Sequence, residues 1–165
     1  MMITLTGFMG SGKTTVGKVL ADFLGCPFMD LDDLVVKKAG ESIPDIFAQD
    51  GEAAFRQLEA RILRQTVEKY AESTVVLALG GGAVTTPASA ALLHEKTVCI
   101  YLRASLDTLL ARLDGETAGR PLADAAFADR LAARAPIYEE TAHVIIDTDG
   151  LTPDEVADEI IISAL

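Results

Sequence analysis

The sequence predicts an α/β fold, a three-layer sandwich with helices on both faces of a five-stranded parallel sheet. Short apolar runs alternate along the whole chain with longer segments of helical period, the pattern of consecutive βαβ units. Several of those runs are continuously hydrophobic instead of alternating, as strands covered on both faces are. The length, 165 residues, suits a single domain over 1–165 with a proper core.

The elements follow in order. MITLT at 2–6 reads as the first strand, and glycines come at once after it. KTTVGKVLADFLG then carries Val16, Leu20, Phe23 and Leu24 at helical spacing, with Gly25 as its stop. CPFM at 26–29 is a short strand. Residues 51–70 read as a long amphipathic helix with Phe55, Leu58, Ile62 and Leu63 on one side. TVVLAL at 74–79, TVCIYL at 97–102 and HVIID at 143–147 are expected to be fully buried strands, with helical patterns between them. A helix over 153–164 closes the chain. DGETAGRPLADA, 114–125, breaks this regularity with small and turn-forming residues, and a stretch of that kind inside a compact domain suggests a functional lid.

Composition narrows the function. Half of the residues are hydrophobic, but no run approaches the roughly 20 apolar residues of a membrane span. MMITLTGFMG has no basic region leading into an apolar one, so no signal peptide is expected. Cys26 and Cys99 sit in apolar surroundings far apart in sequence and read as buried free thiols, which suits the cytoplasm. A net charge of −11 argues against nucleic acid as a partner. It also means that an anionic substrate would need local cations to overcome the overall field.

Gly7 to Thr14, GFMGSGKT, matches G-x-x-x-x-G-K-[ST] between an apolar strand and an amphipathic helix. Glycines let successive N–H groups approach phosphate oxygens, Lys13 neutralises the outer phosphates, and Thr14 offers a hydroxyl to Mg²⁺. Residues 28–33, FMDLDD, place Asp30, Asp32 and Asp33 within four positions. Charges so close need a metal, a cation, a helix N-terminus or water beside them. Candidate cations are Arg56, Arg112, Arg120, Arg130 and Arg134. Arg56, four residues after Glu52 and three before Glu59, reads more simply as a helix ion pair, and Arg130 as a solvated helix charge. Gly80, Gly81 and Gly82 end a strand, either as a tight turn or as backbone approaching a ligand. A GTPase is disfavoured because the chain lacks N-K-x-D, and DTDG at 147–150 comes too late to serve as anything but a turn.

Taken together, GFMGSGKTTVGKVLA, FMDLDDLV, IFAQDGEAAFRQLE, LALGGGAV, RPL and RAPIYEETA resemble the successive motifs of shikimate kinase over nearly the whole chain. The resemblance implies a P-loop kinase fold with a mobile lid at about 112–125 and a substrate-binding region at about 31–61. It implies phosphoryl transfer from ATP to the 3-hydroxyl of shikimate. Lys13, Asp32 and Arg120 would be catalytic, Asp32 accepting the proton of the attacking hydroxyl. Arg56 and Arg134 would hold the substrate carboxylate, with Gly80, Gly81 and Gly82 beside it. Gly10, Ser11, Gly12, Lys13, Thr14, Thr15, Arg112 and Arg120 would bind ATP, Arg112 against the adenine. Thr14 and, through water, Asp30 would hold Mg²⁺, leaving Asp33 to start a helix. A monomer with only small-molecule partners is expected. The rivals are gluconate kinase, a nucleoside monophosphate kinase and an ATP-binding regulator without activity.

Overall fold

The computed structural model describes residues 1–114 and 123–165. Five parallel strands, β1 (Met2–Thr6), β2 (Phe28–Asp30), β3 (Val75–Ala78), β4 (Val98–Arg103) and β5 (Val144–Asp147), lie in the order β2-β3-β1-β4-β5. Register pairs Ile3 with Val76 on one side and Val98 on the other. Among the described residues seven α-helices connect and cover them: α1 (Lys13–Leu24), α2 (Leu31–Ala39), α3 (Ile43–Lys69), α4 (Pro87–Lys96), α5 (Leu106–Asp114), α6 (Ala123–Thr141) and α7 (Pro153–Ala164).

Side-chain alternation along buried strands builds the two covering layers. Ile3, Leu5, Val76, Ile100 and Leu102 face α1 and α7, where they meet Val16, Leu20, Val156 and Ile160. Met2, Leu77 and Tyr101 face the other way, toward Leu31, Leu63, Leu93 and Tyr138 of α2, α3, α4 and α6. From central β1 the chain winds first toward β3 and β2 and then toward β4 and β5. The crevice at such a reversal, outside the C-terminal strand ends, is where open parallel sheets bind ligands.

Four sequence expectations need correction. Phe23 is 61% exposed, because α1 needs only Val16, Gly17, Leu20 and Ala21 to fill its contact with the sheet. The second strand runs over 28–30 instead of 26–29. HVIID is not fully buried: β5 is the edge strand, with Ile145 38% exposed and Asp147 exposed. The long helix starts at Ile43, and Gly51, at φ 85° and ψ 172°, breaks its backbone. That conformation suits glycine and lets two helical segments join at an angle. Cys26 and Cys99 are both free thiols; Cys99 is buried as expected, whereas Cys26 is only partly buried.

Candidate active site

The phosphate loop joins β1 to α1 at the central crevice. Gly10 and Gly12 have φ of 84° and 92°, left-handed values that favour glycine. No side chain caps α1 and no acid lies in its first turn, whereas Asp30, Ser42 and Thr152 cap α2, α3 and α7. The N–H groups and positive end of α1 are thus left to the loop, the arrangement that binds phosphate. Ser11 is buried with an unpartnered hydroxyl, and Thr14 and Thr15 stand exposed on the first turn. Lys13 Nζ donates to the carbonyls of Gly7 at 2.6 Å and Phe8 at 3.1 Å. Burial of the ammonium lowers its pKa to about 8, against the opposing pull of Asp32 and Asp30.

The three aspartates divide the work. Asp30 caps α2, its Oδ1 accepting from the N–H groups of Asp32 at 2.9 Å and Asp33 at 3.4 Å. Its Oδ2 accepts from Thr14 Oγ1 at 3.3 Å, tying β2 to the loop. The expectation that Asp33 starts the helix is therefore corrected: Asp30 is the cap and Asp33 lies in the first turn, where negative charge is favourable. Asp32 is left facing the neighbouring cavity. Burial raises its pKa, as do Asp30 and Asp33, while Lys13 and Arg56 pull the other way.

That cavity, of about 530 Å³, brings together Asp32, Arg56, Glu59, Gly80, Gly81, Gly82, Arg130 and Arg134, with Met9, Phe47 and Phe55 as its apolar wall. Arg56 does pair along its helix, with Glu59 at 2.9 Å and more loosely with Glu52 at 3.8 Å. The pairing holds the guanidinium at the cavity instead of removing it. Glu59, only 2% exposed and with a pKa raised by burial, has one carboxylate oxygen on Arg56 and the other unpartnered. Along the sequence Glu59 reads only as a helix ion-pair partner of Arg56. Its register was the missed signal, since it falls on the helix face of Phe55, Ile62 and Leu63. Tyr138, the tyrosine of the RAPIYEETA motif to which the sequence assigns no role, is buried on α6 and donates to the Gly81 carbonyl, tying that helix to the glycine turn. Arg134, one turn earlier, lies over the Phe8 ring at 5.8 Å.

The glycines are needed for space. A Cβ at Gly82 would collide with the Arg56 guanidinium, and one at Gly80 would lie 2.8 Å from Asp32 Oδ1. Arg112 donates to Gly10 O at 3.2 Å and to Thr148 O at 3.4 Å, bridging the loop and the turn after β5. Arg120 and most of the expected lid lie outside the described residues. A cavity of about 600 Å³ elsewhere is lined by Met1, Met2 and Val98 at the N-terminal strand ends, the wrong end of such a sheet for its ligand.

Comparison with known proteins agrees with this geometry. A family model described as shikimate kinase matches residues 9–164. A shikimate kinase of Enterococcus faecalis is 41% identical over 164 residues, covering 96% of this chain and 95% of that protein. The structure of an Acinetobacter baumannii shikimate kinase in complex with shikimate superimposes with a TM-score of 0.87 at 35% identity, covering 97% of this chain and 90% of that one. A gluconokinase from Sinorhizobium meliloti reaches a TM-score of 0.59 at 20% identity, covering 98% of this chain and 89% of that one, a likeness of fold alone. With the match running from the phosphate loop to the last helix, the chain belongs to the shikimate kinase family.

Proposed function

We propose that the chain transfers the γ-phosphoryl of ATP to the 3-hydroxyl of shikimate, giving shikimate 3-phosphate on the route to chorismate and the aromatic amino acids. The observation that carries this reading is one cavity holding a desolvated carboxylate, Asp32, with the guanidinium groups of Arg56 and Arg134, beside an uncapped phosphate loop. Planar guanidinium forks suit a substrate carboxylate, and the cyclohexene ring fits an apolar wall of Phe47 and Phe55. Asp32 orients the ring hydroxyls and accepts the proton of the attacking one. The hydroxyl oxygen bonds to the γ-phosphorus as the bond to the β-bridging oxygen breaks, and ADP leaves. Lys13 exchanges its loop carbonyls for phosphate oxygens, and Arg120 completes the neutralisation from the lid. Arg112 lines the nucleotide side against the adenine.

Mg²⁺ suits the donors present. The Thr14 hydroxyl and Asp30 carboxylate are hard oxygens 3.3 Å apart beside the loop. A Mg²⁺ ion keeps several waters and takes phosphate oxygens, so it needs few protein ligands. Bound there it would neutralise phosphate charge. Among the described residues no helix is long and apolar enough to cross a membrane. We read the enzyme as a cytoplasmic monomer acting on small molecules.

The test is a coupled ADP-release assay with ATP and Mg²⁺, offering shikimate, gluconate and nucleoside monophosphates in turn. Turnover with shikimate alone is expected. Preferred turnover with gluconate or a nucleotide would replace the acceptor assignment while keeping the phosphate loop.

A further inference from the structure

We propose that Arg130 is a specificity-determining cation at the rim of the acceptor cavity, drawing anionic acceptors toward Arg134. This rests on the acceptor reading above. Arg130, Arg134 and Tyr138 follow each other at four-residue intervals on α6 and so line one face of the helix. Burial deepens along that line, from exposed Arg130 through half-buried Arg134 to buried Tyr138. Tyr138 fixes the deep end on the Gly81 carbonyl, and both arginines line the cavity.

The charges give the rim position its meaning. Three acids, Asp32, Glu52 and Glu59, and three arginines, Arg56, Arg130 and Arg134, line the cavity. Arg56 is committed to Glu59 and Glu52, while neither Arg130 nor Arg134 has an ion pair among the described residues. Without Arg130 the lining carries an excess of negative charge, within a protein of net charge −11. Arg130 also does nothing evident for its own helix. Ala126, Phe127, Ala133 and Arg134 occupy the positions where an acidic partner would stand, and like charges four apart weaken a helix. A helix that keeps both arginines on the cavity face forms a cationic track for an anion.

The experiment is calorimetric titration of shikimate into wild type, Arg130→Gln and Arg130→Lys at about 20 mM and about 0.5 M KCl, where the screening length falls from about 20 Å to about 4 Å. At low salt Arg130→Gln should weaken binding by about two- to sixfold, the interaction of unit charges about 8 Å apart at an effective dielectric of about 40 to 80. Arg130→Lys should retain most of the affinity, and high salt should close the gap. The uncharged methyl ester of shikimate should bind wild type and Arg130→Gln alike. Equal low-salt affinity of Arg130→Gln and wild type for shikimate would overturn the proposal, as would a loss that salt does not reduce. A parallel loss of ATP affinity would assign Arg130 to the nucleotide side and overturn it too. If wild type itself fails to bind shikimate, the acceptor reading falls and the proposal with it. An unchanged variant beside a binding wild type removes the Arg130 role alone.

Discussion

Replacing Gly82 by alanine would isolate the contact between the glycine turn and Arg56. Gly82 sits at φ −105° and ψ 3°, which alanine can adopt, so the change brings little backbone strain. The added Cβ would nonetheless collide with the guanidinium, lying 2.6 Å from its Cζ and 2.8 Å from Nη1. A guanidinium is the far end of a flexible side chain, so Arg56 moves and the turn stays. Its 2.9 Å hydrogen bond to Glu59 is then lost. A charge-assisted bond of that kind contributes about 1.5–3 kcal/mol. Reduced freedom of the unfolded chain gives back about 0.4–1 kcal/mol. The net destabilisation, about 0.5–2.6 kcal/mol, lowers Tm by roughly 1–10 °C. Acceptor binding should suffer more, because a displaced guanidinium gives up its place on the substrate carboxylate. A lost charge pair of that kind weakens binding by at least about 2 kcal/mol, roughly 30-fold in Kd. Calorimetric titration of shikimate into Gly82→Ala, Arg56→Ala and the double variant measures this directly. ATP affinity should hold, and the double variant should bind no more weakly than Arg56→Ala, since removing the guanidinium also removes the clash. A Gly82→Ala affinity within about twofold of wild type, or additive losses in the double variant, would refute the reasoning.

Other expectations concern the carboxylate, the lysine and the second arginine. Asp32→Asn should lower kcat by about 10²- to 10⁴-fold with ATP binding retained, and normal turnover would remove Asp32 from proton transfer. Because burial raises the Asp32 pKa, the acid limb of the kcat/KM profile should lie above the ordinary aspartate range; a limb near pH 4 would count against it. The same shift fixes a stability sign. The folded state holds this proton more tightly, so stability from Asp32 is present at low pH and declines as pH rises from the ordinary aspartate pKa through the raised one. Asp32→Asn should therefore melt no lower than wild type at neutral pH, as differential scanning calorimetry can check. Lys13, with a pKa of about 8, must be protonated to meet phosphate, so ATP affinity should weaken above that pH by up to about tenfold per unit. Constant affinity to pH 10 would show that the ammonium is not at the phosphates. Arg134→Ala should weaken shikimate binding by about 2–5 kcal/mol while sparing ATP, and an unchanged shikimate Kd would move the carboxylate site elsewhere.

Much of this enzyme was legible along the chain because the relevant physics is local. A buried strand must be apolar, a phosphate loop must have glycine where φ is positive, and a helix must repeat its apolar side every three to four residues. Gly7 to Thr14, the buried runs of β3 and β4, and Pro153–Ala164 were all open to that reading. Arg56 was legible too, but its local pairing with Glu59 and its place on the cavity looked like alternatives, and the folded protein has both.

What remained depends on which groups the fold brings together. HVIID carries the hydrophobicity of a central strand, yet strand order puts it at the sheet edge with Ile145 partly in water. Nothing within FMDLDD says that Asp30 would cap α2 and reach Thr14 while Asp32 faced the cavity; the turn of the backbone after β2 divides them. Glu59 looks like an ordinary helix carboxylate until the glycine turn comes up against it. Local pattern along the chain was enough for the phosphate loop, the buried central strands and the family, though not for every element boundary. Tertiary structure decided which charges are desolvated and which partner each one meets, because burial and Coulomb energy depend on neighbours distant in the chain.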